Sequence, residues 1–158
     1  MKAELMIRGA RVIEPGVLRA RERGVLFDAA NGKSNFSFAV AKAALAAGFL
    51  PDIISTDLTA MTFGPSPHVG SLPRVQSKYL TLGLSLSEIL RRCTEIPARL
   101  MGLAEQLGTL QPGARADLAV FRLEDQSWEQ QDWRGDTLPC GQLLVPQMTI
   151  LGGEIVTA

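Results

Sequence analysis

Asp57 is the residue of this sequence whose type and position are best suited to chemistry. It follows residues 53–56, a short apolar and β-branched run that predicts a buried strand. Parallel α/β proteins build their sites at the carboxyl ends of strands, where Asp57 would lie. A carboxylate there could bind a divalent metal or act as a general base. It could also be a helix N-cap or turn residue, so both roles stay open at this level.

Few other side chains could join Asp57 in a metal site. A catalytic zinc takes three protein ligands and a water, and the chain has a single histidine, His68. Asp28 is a conceivable third donor, although nothing in the spacing requires it. His68 stands in a loop rich in proline and glycine, where we expect a loop residue rather than a ligand. Cys93 and Cys140 are far apart in sequence and are expected to be reduced thiols.

A β-loop-α-β unit over residues 25–57 would position Asp57. Residues 25–27 predict a strand that ends at Asp28, and residues 29–35 form a polar loop containing glycine. Apolar residues at helical spacing then predict a helix over residues 36–47, before the strand at 53–56. We expect the two strands to be parallel and the crossover right-handed.

The rest of the chain predicts three more helices and a set of terminal strands. Helices are expected over residues 73–82, after the capping box formed by Ser85 and Glu88, and over residues 94–102. Residues 117–121 predict a strand, and residues 123–143 predict an irregular surface excursion whose tryptophans cover apolar surface. Residues 4–13 and 149–156 each predict a hairpin, the second with a Gly152-Gly153 turn.

Composition excludes several classes of function. Sixteen basic and sixteen acidic residues give no net charge and no basic patch, so we expect no nucleic-acid partner. The first 13 residues carry Glu4, Arg8 and Arg11 and do not resemble a signal peptide. Apolar stretches fall short of the roughly 18 residues that a membrane span needs. We therefore expect a soluble, cytoplasmic protein without a membrane partner.

Several runs of sequence resemble the C-terminal third of the amidohydrolase superfamily. Residues 94–103 read T-x-x-P-A-R-x-x-G-L, and residues 108–118 read G-x-L-x-P-G-x-x-A-D-L. The runs Ile54-Ser55-Thr56-Asp57-Leu58 and Ser77-Lys78-Tyr79-Leu80 look like the amidohydrolase/deacetylase branch, which is related to dihydroorotases. This resemblance covers residues 17–156, and residues 4–13 look like the first strands of the same family.

The resemblance implies a fold for the whole chain. Family members have a (β/α)8 TIM barrel and a small β-sandwich made from both chain ends. This chain would keep the last two βα units of the barrel, with strands seven and eight at residues 25–28 and 53–57. We expect residues 1–15 and 104–158 to form the composite β-sandwich domain, and residues 16–103 to form the truncated barrel portion.

The resemblance also implies a role for Asp57. In the family, the corresponding carboxylate binds a divalent metal such as Zn²⁺ and takes the proton from the water that attacks the carbonyl. The remaining ligands of the family lie on barrel strands one to six, which have no counterpart here. Asn31 also stands where the family has a histidine in a Gly-His-Gly loop.

We therefore predict a truncated metal-dependent amidohydrolase that is inactive as a single chain and does not bind its metal tightly. Its relatives cleave cyclic amides and N-acyl groups, so a small amide is the expected substrate only if the site is completed. The alternative is a non-catalytic structural or oligomerisation module derived from that family. Open strand edges predict self-association or a partner chain that supplies the missing strands.

Overall fold

The computed structural model describes residues 15–32, 34–60 and 70–157. The hairpin predicted at residues 4–13 and His68 lie outside these ranges. The described part of the chain contains the following helices and strands in chain order: α1 (Pro15–Glu22), β1 (Asp28–Ala30), α2 (Phe38–Ala46), β2 (Ile53–Ser55), α3 (Leu72–Thr81), α4 (Leu86–Cys93), α5 (Glu95–Leu100), β3 (Leu118–Gln131), β4 (Thr137–Leu151) and β5 (Glu154–Thr157).

Strands β1 and β2 form a parallel pair connected through α2, as the β-loop-α-β pattern predicts. Asp28 pairs with Ile53, and Ala30 pairs with Ser55. The first strand begins later than predicted, at Asp28 rather than near residue 25. Just before it, the Phe27 backbone N–H donates to the carboxylate of Asp52 at 2.9 Å, and the Phe27 carbonyl accepts from the backbone N–H groups of Asp52 and Ile53.

Arg21 connects helix α1 to the segment just before β2. Its guanidinium forms a 2.9 Å ion pair with Asp52 and donates to the Leu50 carbonyl at 2.5 Å. The same group lies over the Phe49 ring, 4.2 Å from its centroid. Since the charge is paired and stacked, this partly buried arginine joins α1 to the loop that leads into β2.

Helices α3 and α4 begin close to where Pro73 and the Ser85 capping box predict, and α5 begins at Glu95, within the predicted range. Ser85 accepts a hydrogen bond from the Glu88 backbone N–H at 3.3 Å, which is half of the predicted capping box. Pro73 lies in the first turn of α3, where its missing N–H costs nothing. Ile89 is fully buried on the apolar face of α4.

Residues 123–143 are not the irregular excursion that their polarity predicts. They belong to β3 and β4, a long antiparallel hairpin with register shifts after Val120 and after Asp125. One face of the hairpin packs against α3 through Leu138, Cys140 and Leu144, which are nearly inaccessible to solvent. The other face is polar and exposed, which is why a local reading of hydrophobicity finds no strand.

The predicted hairpin at residues 149–156 is confirmed. Strands β4 and β5 are antiparallel and are joined by Gly152 and Gly153, both with positive φ, 60° and 91°. Two successive positive φ values suit glycine and match the twist of the strands.

One hydrophobic core joins the two sheets. Ile54 of β2, Val75 and Tyr79 of α3, and Leu138 of β4 all belong to it. The small parallel pair therefore packs against α3 and the long hairpin through this shared core. No helix of the described residues has the length and apolar character needed to cross a membrane.

Candidate functional site

Asp57 lies just beyond the carboxyl end of β2, as predicted. Its φ of 52° is in the left-handed region, which directs the chain sharply away from the strand. Its side chain is exposed, and Asn35 donates a hydrogen bond to its Oδ2. The next helix of the described residues is α3, whose N-cap is Ser71, so the N-cap role considered for Asp57 finds no support there.

The loop after β1 approaches Asp57 closely because residue 32 is glycine. A Cβ at Gly32 would lie 2.9 Å from Asp57 Cγ and 3.1 Å from Asn35 Nδ2, closer than such atoms pack. The absence of a side chain therefore allows Asn35 to reach the carboxylate. The loops after both strands meet at this point.

Asp28 is the second carboxylate near this edge. The Ser55 hydroxyl donates a hydrogen bond to Asp28 Oδ2 at 2.7 Å. Partial burial raises the pKa of Asp28, the bond from Ser55 opposes that rise, and the negative charge of Asp57 adds to it. The two acids therefore influence each other electrostatically, although Asp28 starts β1 instead of ending a strand as predicted.

Asn31, which the sequence resemblance compares with a family histidine, cross-links the two strands through buried hydrogen bonds. Its side chain is fully buried, and Nδ2 donates to the carbonyls of Ala29 at 2.6 Å and Ser55 at 2.7 Å. Its Oδ1 accepts a hydrogen bond from the Lys78 ammonium. Because these contacts use the oxygen and both amide hydrogens, Asn31 has a structural role.

Lys78 is a buried cation that the sequence reading did not single out. It reaches inward from α3 with only 1% of its surface exposed, and its Nζ lies 3.4 Å from the centroid of the Phe36 ring. Burial lowers the pKa of Lys78 to about 7, against the opposing effects of Cys140 and Asp132. The sequence did contain a signal for this burial, because Lys78 lies on the same core-facing side of α3 as Val75 and Tyr79.

The described residues do not by themselves fit a hydrolytic metal. They contain no group of three or more histidine, cysteine or acidic side chains that could hold an ion. Asp28 and Asp57 are the two acids at this edge, and the Asn31 oxygen already faces the ammonium of Lys78. A zinc ion with three protein ligands would therefore need donors from outside the described residues. Cys93 and Cys140 are both free thiols, as predicted.

Comparison with protein families and curated proteins gives consistent results. Residues 51–157 match a family model described as the amidohydrolase family. A deacetylase from Brucella anthropi and another from Agrobacterium fabrum are each 34% identical over 142 residues, 89% of this chain and 34% of theirs. A deacetylase from Enterococcus faecalis is 33% identical over 137 residues, 87% of this chain and 37% of its own. The chain thus spans about a third of the length of these relatives.

Two solved structures have the same fold over most of the chain. A structure described as an adenine deaminase superposes with a TM-score of 0.86 at 32% identity, and one described as a dihydroorotase with a TM-score of 0.79 at 33% identity. Each match covers 92% of this chain and 39% of the other chain. The architecture described above is therefore that of one part of these larger proteins.

Proposed function

The chain belongs to the amidohydrolase family, and from this we propose that it supplies one side of a metal-dependent site that hydrolyses C–N bonds in amides or cyclic amides. Asp57 is the residue that acts in this proposal. It would provide one ligand of a metal whose other ligands come from outside the described residues, and its carboxylate would take up a proton from the attacking water. By itself the chain does not hydrolyse amides.

The observation that carries the proposal is the position of Asp57. It is an exposed carboxylate at the carboxyl end of a parallel strand, next to the loop of the neighbouring strand. Parallel α/β enzymes place their reacting groups at this edge. Asn35 holds one carboxylate oxygen, so the side chain has a fixed orientation toward the rim of the sheet.

The chemistry of the family supports a role for a bound ion. Amidohydrolases generally use a divalent metal such as Zn²⁺, which polarises a carbonyl and makes water a better nucleophile. The residues of this chain would perform the rest: Asp57 takes up the proton, Asn35 orients Asp57, and Asn31 with Lys78 keeps the strand ends together.

The proposed division of the chain follows from the two sheets. We place β1 and β2 as the last two strands of a TIM barrel, within residues 16–103. Residues 1–15 and 104–158 would form the small β-sandwich, to which β3, β4 and β5 belong. The separation of the described strands into a parallel pair and an antiparallel sheet supports this division.

The proposed partner is a polypeptide that extends the parallel pair. Among the described residues, β1 has only β2 as a neighbour, and β2 only β1. Unpaired strand edges present N–H and C=O groups to another strand. A second chain, or another copy of this one, would bring the additional ligands that a three-ligand metal site requires.

The test is complementation in the presence of zinc. The full chain is co-expressed with the upstream two-thirds of the Agrobacterium fabrum deacetylase, and the purified mixture is assayed on an N-acetylated amino acid, on dihydroorotate and on adenine. We expect turnover only with both chains present. Replacing Asp57 with asparagine keeps the shape but removes the proton acceptor, so we expect a loss of about 10²-fold or more.

Asp125→Asn is the matched control, since Asp125 is an exposed acid on the hairpin that bonds Gln142. It should retain full complemented activity. Hydrolysis by the chain alone, or equal activity of Asp57→Asn and the wild type, would overturn the proposal. A stable complex without activity on any of the three compounds would also overturn it, in favour of a non-catalytic module.

A further inference from the structure

Asp132, at the tip of the β3–β4 hairpin, is a buried acid with a complete set of partners. Only 2% of its surface is exposed. Oδ1 accepts hydrogen bonds from the backbone N–H groups of Arg134 at 2.8 Å and Asp136 at 3.1 Å, which shape the turn. Its other oxygen, Oδ2, accepts from the backbone N–H of Phe38 at 2.8 Å.

This last bond caps helix α2 from a distant part of the chain. Ser37 occupies the N-cap position of α2, yet its side chain makes no capping hydrogen bond. Asp132 supplies the missing acceptor from 94 residues away. A carboxylate at the N-terminus of a helix is also favoured by the helix dipole. The hairpin tip therefore fixes where α2 begins.

A second contact ties the tip to the loop before α2. The Trp133 backbone N–H donates to the Phe36 carbonyl at 3.5 Å, a long bond next to the cap. The Phe36 ring packs on the Lys78 ammonium and edge-on to Phe38. Residues 36–38 are thus held between the hairpin tip on one side and α3 on the other.

Asn35, the partner of Asp57, is the residue directly before this held segment. Its own side chain makes a weak 3.4 Å contact with Ser34 and otherwise points to Asp57 Oδ2. The backbone N–H of Asn35 donates to the Gly32 carbonyl at 3.3 Å, and the carbonyl of the next residue, Phe36, is held by Trp133. The position of Asn35 therefore depends on the anchored residues 36–38, and Asp132 shapes the hairpin tip that holds them.

The geometry points to Asp132 as a positioning residue that keeps the Asn35 amide on the Asp57 carboxylate. It acts through the first turn of α2 and touches neither Asp57 nor any substrate. Its importance for catalysis rests on the proposed function of Asp57, whereas the geometric claim can be tested in the chain alone.

The test is NMR of the full chain without any partner. In the wild type, we expect one side-chain amide proton of Asn35 to be shifted downfield by the carboxylate and protected from exchange. Asp57→Asn removes the charged acceptor and shows where the unbound signal lies. Asp132→Ala removes the cap, and we expect the Asn35 signal to move toward that unbound position.

Asp132→Asn removes the charge and one of the two acceptor oxygens. Its single oxygen cannot accept from both the Phe38 N–H and the turn N–H groups of Arg134 and Asp136, so we expect an Asn35 signal between those of the wild type and Asp132→Ala. Removing the negative charge should lower the pKa of Lys78, followed through its side-chain carbon shifts, because Asp132 opposes the effect of burial on that group. Asp125→Asn, on the same hairpin, should change neither signal.

An unmoved Asn35 signal in folded Asp132→Ala would overturn the inference. If the alanine variant does not fold, Asp132→Glu replaces it, because glutamate keeps the charge but displaces the cap by one methylene. An Asn35 signal at the wild-type position in that variant would likewise contradict the inference. These readouts do not depend on whether complementation succeeds.

Discussion

At the scale of residues, the strand ends are organised around an amide and an ammonium. The amide of Asn31 bridges β1 and β2 by donating to one carbonyl of each strand, and its oxygen accepts a hydrogen bond from Lys78. No carboxylate of the described residues forms an ion pair with Lys78, which makes its burial costly, and the face of the Phe36 ring offsets part of that cost. The edge that carries Asp57 thus rests on a polar network that is closed to solvent.

Lys78 gives the stability of the chain a distinctive pH dependence. Its pKa is about 7 when folded, against 10.5 for the ordinary side chain, so unfolding takes up a proton between these values. The free energy of unfolding should therefore rise with pH in this window, by up to about 1.4 kcal/mol per pH unit. As the pH falls toward 7, the free energy of unfolding should decrease again by the same amount per unit.

The check is urea denaturation of the wild type and Lys78→Met between pH 7 and 8.5. We expect the methionine variant to lack most of the rise, whatever its absolute stability. Lys42→Met, at an exposed lysine of α2, should keep the wild-type slope. Parallel stability curves for wild type and Lys78→Met would show that this lysine keeps its proton in the folded chain.

The sequence predicted the position of Asp57 but not the residues that orient its side chain. Asp57 follows a recognisable strand, so its position at the carboxyl end of β2 was predictable from local pattern. Asn35 and Asp132 are ordinary polar residues in loops, and their roles depend on contacts across 22 and 94 residues of sequence. Local pattern contains no information about such long-range contacts.

At the scale of secondary structure, the long hairpin is part of the core rather than a surface excursion. The helices were predictable because Ser85 and Pro73 mark their starts in the sequence. The hairpin was missed because its exposed face is mostly polar, and its buried face becomes evident only when α3 packs on it. Leu144 also donates its backbone N–H to the Ser77 hydroxyl of α3 at 2.8 Å.

Truncating the buried face of the hairpin should therefore cost far more than truncating its exposed face. Leu144 is 4% exposed and Leu123 is 42% exposed. We expect Leu144→Ala to lower the free energy of unfolding by about 2–5 kcal/mol, and Leu123→Ala by less than about 1 kcal/mol. Urea denaturation measures both, and similar losses for the two variants would argue against the packing of the hairpin on α3.

At the scale of the whole molecule, the chain has the fold of one part of a larger enzyme. It matches about two-fifths of each solved relative and about a third of each curated deacetylase. The described residues include a two-stranded parallel sheet with Asp57 just beyond the end of β2. A zinc site with three protein ligands needs more donors than this edge offers, so the proposed function requires donors from outside the described residues.

Metal content tests this requirement most directly. The purified chain, its complex with the upstream deacetylase fragment, and the same complex carrying Asp57→Asn are loaded with zinc, dialysed and analysed for bound metal. The account predicts that zinc remains with the wild-type complex and is lost from the other two samples. One equivalent of zinc retained by the chain alone would contradict the account.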